Sequence, residues 1–116
     1  MATFEKKGDY VIMTPERSYT LNIYKDSLRE AAEYCRKNGL GKILADISMS
    51  QDTIPVFDRF QLGIEMANVL GNKIRMAILA PAAMIDKLGE NSAVNRGAQV
   101  FVTSSREEAL EWLERE

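Results

Sequence analysis

The sequence predicts an α/β fold in which a mixed, mainly parallel sheet of about five strands packs against four helices. Short, mostly apolar segments that are typical of strands alternate along the chain with amphipathic segments that are typical of helices. The composition, with 46% hydrophobic and 28% charged residues, is that of an ordinary globular protein. The length of 116 residues allows one domain with a substantial core, and we expect a single domain over 1–116.

The chain is expected to open with a β-hairpin. Residues 10–13 and 19–24 are apolar segments that could form its two strands. Between them, residues 14–18 contain proline and small polar side chains, which favour a turn. Because the strands of a hairpin are antiparallel, this pair is expected to supply an antiparallel edge to the sheet.

The first helix is predicted to follow the hairpin. Ser27 and Glu30 have the Ser-x-x-Glu spacing in which each side chain can satisfy the other's free backbone N–H group at a helix start. Gly39 can adopt the left-handed conformation that ends a helix. The predicted inward stripe is Leu28, Ala31, Ala32 and Cys35. We expect Cys35 to be a core residue, since the chain has no histidine to activate its thiol.

A central strand and a second helix are predicted next. Residues 42–47 are mostly apolar and follow Gly41, as in a strand that is covered on both faces. A helix is predicted over 53–70, where Thr53 could act as the cap and Pro55 could occupy the first turn. The apolar side chains expected to line one face of this helix are Phe57, Phe60, Ile64 and Ala67.

The rest of the chain predicts two more strands and two more helices. The strands are expected at 73–80 and Gln99–Thr103, and a helix at 84–95 is expected to end at Gly97. Ser105 is predicted to cap the last helix, whose inward stripe is Ala109, Trp112 and Leu113. The resulting order, β-β-α-β-α-β-α-β-α, implies right-handed crossovers between parallel strands.

Several functions are excluded by what the chain lacks. With no histidine, Ser-His-Asp hydrolysis, Cys-His proteolysis and histidine-built metal sites are excluded, and neither a cofactor nor a metal is expected. The net charge of -2 offers no basic face, so no nucleic-acid partner is expected. The single cysteine cannot pair within the chain, and no segment approaches the roughly 20 apolar residues of a membrane span. A cytoplasmic location is therefore expected.

Candidate ligand-binding residues lie beyond the carboxyl ends of the predicted strands, where open α/β sheets bind ligands. Asp46 ends a predicted strand and is followed by hydroxyl side chains that could hold the polar head of a ligand, namely Ser48, Ser50 and Thr53. Alternatively, these residues serve only loop and capping chemistry. One carboxylate is not a catalytic pair, so an enzyme is not predicted.

Large apolar side chains at the start of helix 53–70 are further candidate ligand-binding residues, together with one from the next helix: Ile54, Val56, Phe57, Phe60 and Met84. In one interpretation this helix simply packs on the sheet, and in the other it is a movable lid over an apolar groove. The internal methionines could fill a core or line a pliable pocket. The positions of Met49 and Met84 favour the pocket, whereas Met76 in a strand favours the core.

The order of elements and several local segments resemble a known family. The segments are the strands at 43–46, 74–79 and 100–103, the helix at 57–67 and the helix stop Asn95-Arg96-Gly97. The most specific segment is the closing Ala109-Leu110-Glu111-Trp112-Leu113. On these residues the chain resembles the SpoIIAA-like family of small bacterial proteins, which have the STAS-type fold of anti-anti-sigma factors. The resemblance covers nearly all of the chain and implies that the protein binds a partner.

One family motif is missing. Anti-anti-sigma factors carry an Asp-Ser-Ser-Gly type stretch whose serine is phosphorylated at the start of the following helix. Residues 52–55 of this chain are Asp-Thr-Ile-Pro, so the resemblance does not carry that switch over, and Thr53 is a weak substitute as a phosphorylation site. The SpoIIAA-like group is also similar in fold to CRAL-TRIO lipid-binding domains, which implies an apolar ligand or a membrane surface.

The predicted function is non-enzymatic binding of an apolar small molecule, a lipid or a membrane surface through a movable helix 53–70, with peripheral membrane contact as one form of it. The alternative is a regulatory protein-protein interaction domain of anti-anti-sigma-factor type, without the phosphorylatable Ser-Ser-Gly, in which the same helix contacts a protein partner. A homodimer is also predicted, because a hairpin at the sheet edge leaves a strand that a second copy could cover.

Overall fold

The sheet and its helices follow the predicted order. The computed structural model describes residues 2–50, 53–85 and 88–115. Within these residues the strands are β1 (Thr3–Lys7), β2 (Tyr10–Thr14), β3 (Lys42–Asp46), β4 (Arg75–Leu79) and β5 (Gln99–Thr103). The helices are α1 (Leu21–Asn38), α2 (Val56–Leu70), α3 (Leu88–Val94) and α4 (Arg106–Glu114), with a short 3₁₀ turn at Ala82–Met84.

The sheet is mixed and mainly parallel, as predicted. Its strand order is β1-β2-β3-β4-β5, so β3 is the central strand. β1 pairs with β2 in the antiparallel sense, and β2, β3, β4 and β5 are parallel to one another. The carboxyl ends of the four parallel strands therefore lie at one end of the sheet, where loops and helix starts converge.

The hairpin prediction placed the wrong segments in the two strands. The hairpin is β1 with β2, and its turn contains Gly8, whose positive φ of 66° suits a glycine. Residues 19–24, predicted as a strand, include the cap and first turn of α1. The Thr20 hydroxyl accepts a hydrogen bond from the Ile23 N–H at 3.1 Å and caps the helix.

Ser27 was therefore wrongly predicted as the helix cap. It lies inside α1, where its hydroxyl donates to the carbonyl oxygen of Ile23 at 2.9 Å. The apolar residues Leu21, Tyr24 and Leu28 continue one helical face across the predicted boundary, which explains why the helix starts earlier. The predicted end is confirmed, because Gly39 is left-handed and the Leu40 N–H donates to the Cys35 carbonyl at 2.9 Å.

Helices cover both faces of the sheet. Ile43 and Ala45 of β3 belong to the core under α1, α2 and α3, whereas Leu44 belongs to a second core under α4. This alternation is the two-residue period of a strand. Cys35 is fully buried in the first core, as predicted, and burial raises the pKa of its thiol to about 11.

Helix α2 starts later and faces a different way than predicted. It begins at Val56 with Pro55 as its cap residue and has no side-chain cap, so the prediction that Thr53 caps it is wrong. Of the side chains predicted to line one face, Phe57 is 69% exposed and Phe60 is 37% exposed, whereas Ile64 and Ala67 are half-buried, so the interpretation in which Phe57 packs on the sheet is wrong. The helix packs between α1 and α3, and the residues that it buries are Leu62, Gly63, Met66 and Leu70.

The last two helices match the prediction unequally. The helix predicted over 84–95 is shorter, because Ile85 is extended and α3 begins only at Leu88. In α4 the Ser105 hydroxyl accepts from the Glu108 N–H at 3.2 Å, so the predicted cap is confirmed. Its buried residues are Ala109 and Leu113, whereas Trp112 is half-buried and stacks on Phe101 with ring centres 5.6 Å apart.

Candidate functional site

A cavity of about 110 Å³ lies at the carboxyl ends of the parallel strands, between the sheet and the helices of its first face. The sheet side of the lining comes from residues at or just beyond the ends of β2, β3 and β4: Met13, Ala45, Ile47, Ile78 and Ala80. The helix side comes from α1 and α2, through Tyr24, Leu28, Leu62 and Met66. Because these side chains are apolar, the cavity suits an apolar occupant.

Polar lining groups of the cavity make hydrogen bonds within the protein. The Ser27 hydroxyl donates to the helix backbone, and the Glu90 carboxylate accepts from the Val102 N–H of β5 at 3.0 Å. Arg59 also borders the cavity and is half-buried. The hydrogen bond from Val102 to Glu90 also satisfies a backbone N–H on the outer edge of the sheet, since β5 is an edge strand.

Methionines contribute much of the lining. Met13 and Met76 come from strands, Met66 from α2 and Met84 from the 3₁₀ turn. The interpretation of Met76 as a core residue is confirmed by its complete burial, although it also borders the cavity. Met49, in contrast, is 87% exposed and does not line the cavity. Flexible thioether side chains give the cavity walls an adaptable shape.

Contacts on both sides hold α2 over the cavity. On the α1 side, the Tyr19 hydroxyl donates to Asp58 at 2.8 Å, and the Arg29 Nε donates to Glu65 at 3.0 Å. Burial, together with the Asp58 carboxylate, raises the pKa of the Tyr19 hydroxyl above its usual value, so it remains a donor. The structure therefore shows the helix closed over the sheet.

Helix α3 holds the other side of α2. The Ser92 hydroxyl donates to the Phe60 carbonyl oxygen at 3.3 Å. The guanidinium carbon of Arg96 lies 5.3 Å from the centre of the Phe60 ring, within the range of a cation–π contact. Phe60 therefore has an exposed ring edge and a fixed position.

Within the predicted polar cluster, Asp46 and Ser48 are hydrogen-bonded to each other, and Asp46 also pairs with α4. Asp46 Oδ1 accepts from the backbone N–H and the hydroxyl of Ser48 at 3.0 and 2.6 Å, and its Oδ2 accepts from Arg106 of α4 at 3.0 Å. Because neighbouring strand residues face opposite sides, Asp46 points toward α4 while Ala45 borders the cavity. Burial alone would raise the pKa of Asp46, but the hydrogen bonds from Ser48 and Arg106 outweigh it and lower that pKa.

The remaining predicted residues are spread over this end of the molecule. Ser50 has a buried hydroxyl oxygen without a hydrogen-bond partner among the described residues, and Thr53 is exposed. Ile54 is buried and lines the cavity, as does Met84. Gln51 and Asp52, between Ser50 and Thr53, lie outside the described residues.

Three predicted side chains form an exposed apolar surface on α2. Phe60 lies four residues after Val56 and three after Phe57 on one helix, so its side chain neighbours both of theirs on the outer side. Their exposed fractions are 62%, 69% and 37%. We call these three side chains the α2 apolar surface. They do not line the cavity, so the structure separates the outer apolar residues from the inner ones.

Most of the cavity lining was not among the candidate residues. The sequence analysis placed Leu28 on the inward stripe of α1 but missed Leu62 and Met66, although these two and Leu70 recur every four residues, as in a buried helical stripe. The period-two burial of Ile43 and Ala45 is the signal that identifies the cavity side of β3. The cavity depends on how the sheet, α1 and α2 are positioned relative to one another, and the sequence of a single element does not determine that arrangement.

The described residues lack the features of a membrane span and of a metal site. None of the helices within them is both long and apolar enough to pass through a membrane. No group of three or more His, Cys, Asp or Glu side chains in these ranges is arranged to hold a metal ion.

Comparison with known proteins identifies the fold. No family model matches the chain, and no curated protein matches it. Among solved structures, it is similar to an anti-sigma factor antagonist from Mycobacterium paratuberculosis, with a TM-score of 0.63 and 9% sequence identity. The match covers 99% of this chain and 94% of the other. The chain therefore has the STAS, or SpoIIAA-like, fold, and at this identity the similarity shows the fold alone.

Proposed function

We propose that this protein is a regulatory protein-interaction domain that binds a protein partner through the α2 apolar surface. The observation that carries the proposal is the exposure of Val56, Phe57 and Phe60 at the ligand end of the sheet. Phenylalanine is enriched at the centres of protein interfaces. Contiguous exposed apolar side chains mark interaction sites in soluble proteins. The structural neighbour is an anti-sigma factor antagonist, which supports a protein as the partner.

The geometry of α2 suits this role. Hydrogen bonds to Tyr19 and Ser92 fix the start of the helix before a partner arrives, so little conformational freedom is lost on binding. Thr53 is exposed just ahead of the surface, and we propose it as the position where phosphorylation would act. Added negative charge beside an apolar surface would weaken the association.

The test compares proteins captured from cells by the wild type and by two variants. Phe57→Ser removes a side chain of the α2 apolar surface, and Leu110→Ser removes a half-buried side chain of α4 on the other face of the sheet. We expect one protein to be retained in stoichiometric amount by the wild type and Leu110→Ser, and at least tenfold less by Phe57→Ser. Equal retention by all three would refute the proposal.

A second candidate function is binding of an apolar small molecule, lipid or membrane surface by α2, and the cavity beneath that helix favours it. Native mass spectrometry of protein purified from cells tests this function through a co-purifying ligand. Vesicle sedimentation tests the membrane form, in which the protein would pellet with lipid. Substitutions in the α2 apolar surface should weaken binding of a protein partner or a membrane. Binding of a small molecule in the cavity should respond only to substitutions in the cavity lining.

Self-association is the remaining proposal. The free edge of β1 carries the charged residues Glu5, Lys6 and Lys7, which disfavour pairing with another strand. If a homodimer forms, the α2 apolar surface is therefore the more suitable contact. Sedimentation velocity of the wild type and Phe57→Ser at high concentration tests this, since a dimer through α2 would dissociate in the variant.

A further inference from the structure

We infer that the cavity beneath α2 is a binding site for a compact, uncharged apolar molecule, of the size of benzene or a xenon atom, rather than for a lipid chain. This site deepens the second candidate function, ligand binding beneath α2, and is independent of partner binding through the α2 apolar surface. Three features of the cavity carry the inference: its volume, its chemistry and its walls.

The volume limits the size of the occupant. The cavity has a volume of about 110 Å³. An apolar cavity of about 150 Å³ is large enough to stay dry and bind benzene or xenon. A long acyl chain exceeds this volume, and contacts from Tyr19 and Ser92 hold α2 in place over the cavity. A compact molecule fits with small side-chain adjustments alone.

The chemistry of the lining selects an uncharged occupant. Ser27 and Glu90 already bond to backbone groups of the protein, at 2.9 and 3.0 Å, and Arg59, which also borders the cavity, has its own interaction within the protein. A charged ligand would lose its hydration on entering this apolar space, and such a loss is costly without a compensating partner. An apolar molecule loses no hydrogen bonds and gains dispersion contacts with the walls.

The walls can adjust to the shape of the occupant. Met13, Met66, Met76 and Met84 approach the cavity from three kinds of element, and each has an unbranched side chain with several rotatable bonds. The site therefore accepts a class of compact apolar molecules, aromatic or aliphatic, more readily than one defined shape.

Binding can be measured through the NMR signals of the same methionines. The full chain, labelled with ¹³C at the methionine methyl groups, is titrated with benzene and, in a separate sample, exposed to xenon under pressure. We expect saturable shifts of the signals of Met13, Met66, Met76 and Met84, while the exposed Met49 stays unchanged. Benzene at ten times its Kd should also raise Tm by about 3–6 °C, because it binds only the folded protein.

Two variants of neighbouring positions provide the matched control. Ala80→Val adds two methyl groups to the cavity side at the end of β4, whereas Ala77→Val adds the same groups to the opposite face, under α4. We expect Ala80→Val to weaken benzene binding at least tenfold and Ala77→Val to leave it within about twofold. If Ala80→Val fails to fold, Leu62→Ala replaces it. This change enlarges the cavity and should strengthen the binding of indole relative to benzene.

Three results would overturn the inference. One is the absence of saturable shifts with both probes, and another is an equal shift of Met49, which would indicate non-specific contact. The third is saturable binding of decanoate that shifts the four cavity methionines, since this would show that α2 opens for a chain. None of these results concerns capture of a partner by Phe57, so failure of the cavity site would leave the protein-interaction function intact.

Discussion

The two faces of the sheet differ in how their side chains pack. Under α4, Leu44 and Ala77 pack against Ala109 and Leu113, all of them completely buried. Under α1 and α2, the core contains a cavity, several methionines and a helix whose outer surface is apolar. Close packing stabilises one structure, whereas adaptable packing permits binding. The comparison suggests that the α4 face maintains the fold and the α2 face carries the function.

The largest expected effect tests this comparison with one substitution on each face. Leu113→Ala removes a fully buried side chain under α4 and should lower the free energy of unfolding by about 3–4 kcal/mol. Leu62→Ala, beside the existing cavity, should cost only about 2–3 kcal/mol, since that side chain has fewer atoms packed against it.

Urea unfolding of both variants measures the two costs. The transitions should keep the wild-type slope, so that the shift in midpoint reports stability. A cost for Leu62→Ala that equals or exceeds the cost for Leu113→Ala would contradict the proposed division between the faces.

The α4 face was also the easier one to predict from the sequence. Ser105 supplied a local capping signal, and Ala109 and Leu113 supplied helical spacing; the structure confirms all three. The central place of β3 was predicted in the same way, from a short and mostly apolar segment. Such signals are contained in a few neighbouring residues, and this explains why they were sufficient.

Errors concentrate on the α2 face, where local signals compete. Phe57 and Phe60 have the spacing of an inward stripe, yet packing between α1 and α3 turns Leu62 and Met66 inward instead. Apolar and polar side chains alternate over residues 19–24, as in a strand, but the Thr20 hydroxyl caps a helix that begins within this segment. The candidate site was therefore predicted at the correct end of the sheet, with the roles of its apolar residues assigned to the wrong sides of one helix.

A second comparison concerns the charged contacts that hold a helix on each face. Arg75 of β4 donates to the carbonyl oxygens of Trp112, Leu113 and Arg115 and lies 5.0 Å from the Trp112 ring centre. It thereby supplies the positive charge that the last turn of α4 lacks. Arg75→Met keeps an apolar chain but removes these bonds, and should cost about 1–2 kcal/mol.

The matched change on the other face is Arg29→Met. Arg29 pairs with Glu65 across α1 and α2, but its side chain is 56% exposed. Water and salt weaken such a pair, so the expected cost is below about 1 kcal/mol. Chemical denaturation at low and high salt separates the two variants, because only the Arg29 contribution should fall markedly with salt. Equal costs at both salt concentrations would mean that α2 is held as firmly as α4.

A smaller effect than that of Arg75→Met is expected at the start of α4. Ser105→Ala removes the hydroxyl that accepts from the Glu108 N–H and should lower stability by about 1 kcal/mol. Ser104→Ala, one residue earlier and exposed, is the control and should change stability by less than about 0.5 kcal/mol. Thermal unfolding of both variants checks the difference, and similar Tm values would show that the cap contributes little to the α4 face.

The smallest expected effect is the pH-dependent contribution of Asp46 to stability. Asp46 ends the central strand and pairs with Arg106 of α4, and its pKa in the folded protein lies below the usual value. Its charged form therefore stabilises the fold above its unfolded pKa of roughly 3.9, and this contribution is lost as the pH falls through the lower folded pKa. Because Arg106 is half exposed, Asp46→Asn should cost less than about 1 kcal/mol at pH 7.

The stability difference between wild type and Asp46→Asn should be constant from pH 5 to 7 and should shrink below about pH 4. Urea midpoints measured across that range provide the test. Since Asp46 points away from the cavity, benzene binding should be equal in both proteins throughout. If the substitution instead weakened benzene binding at pH 7, the carboxylate would act across the sheet, and the two faces could not be assigned separate tasks.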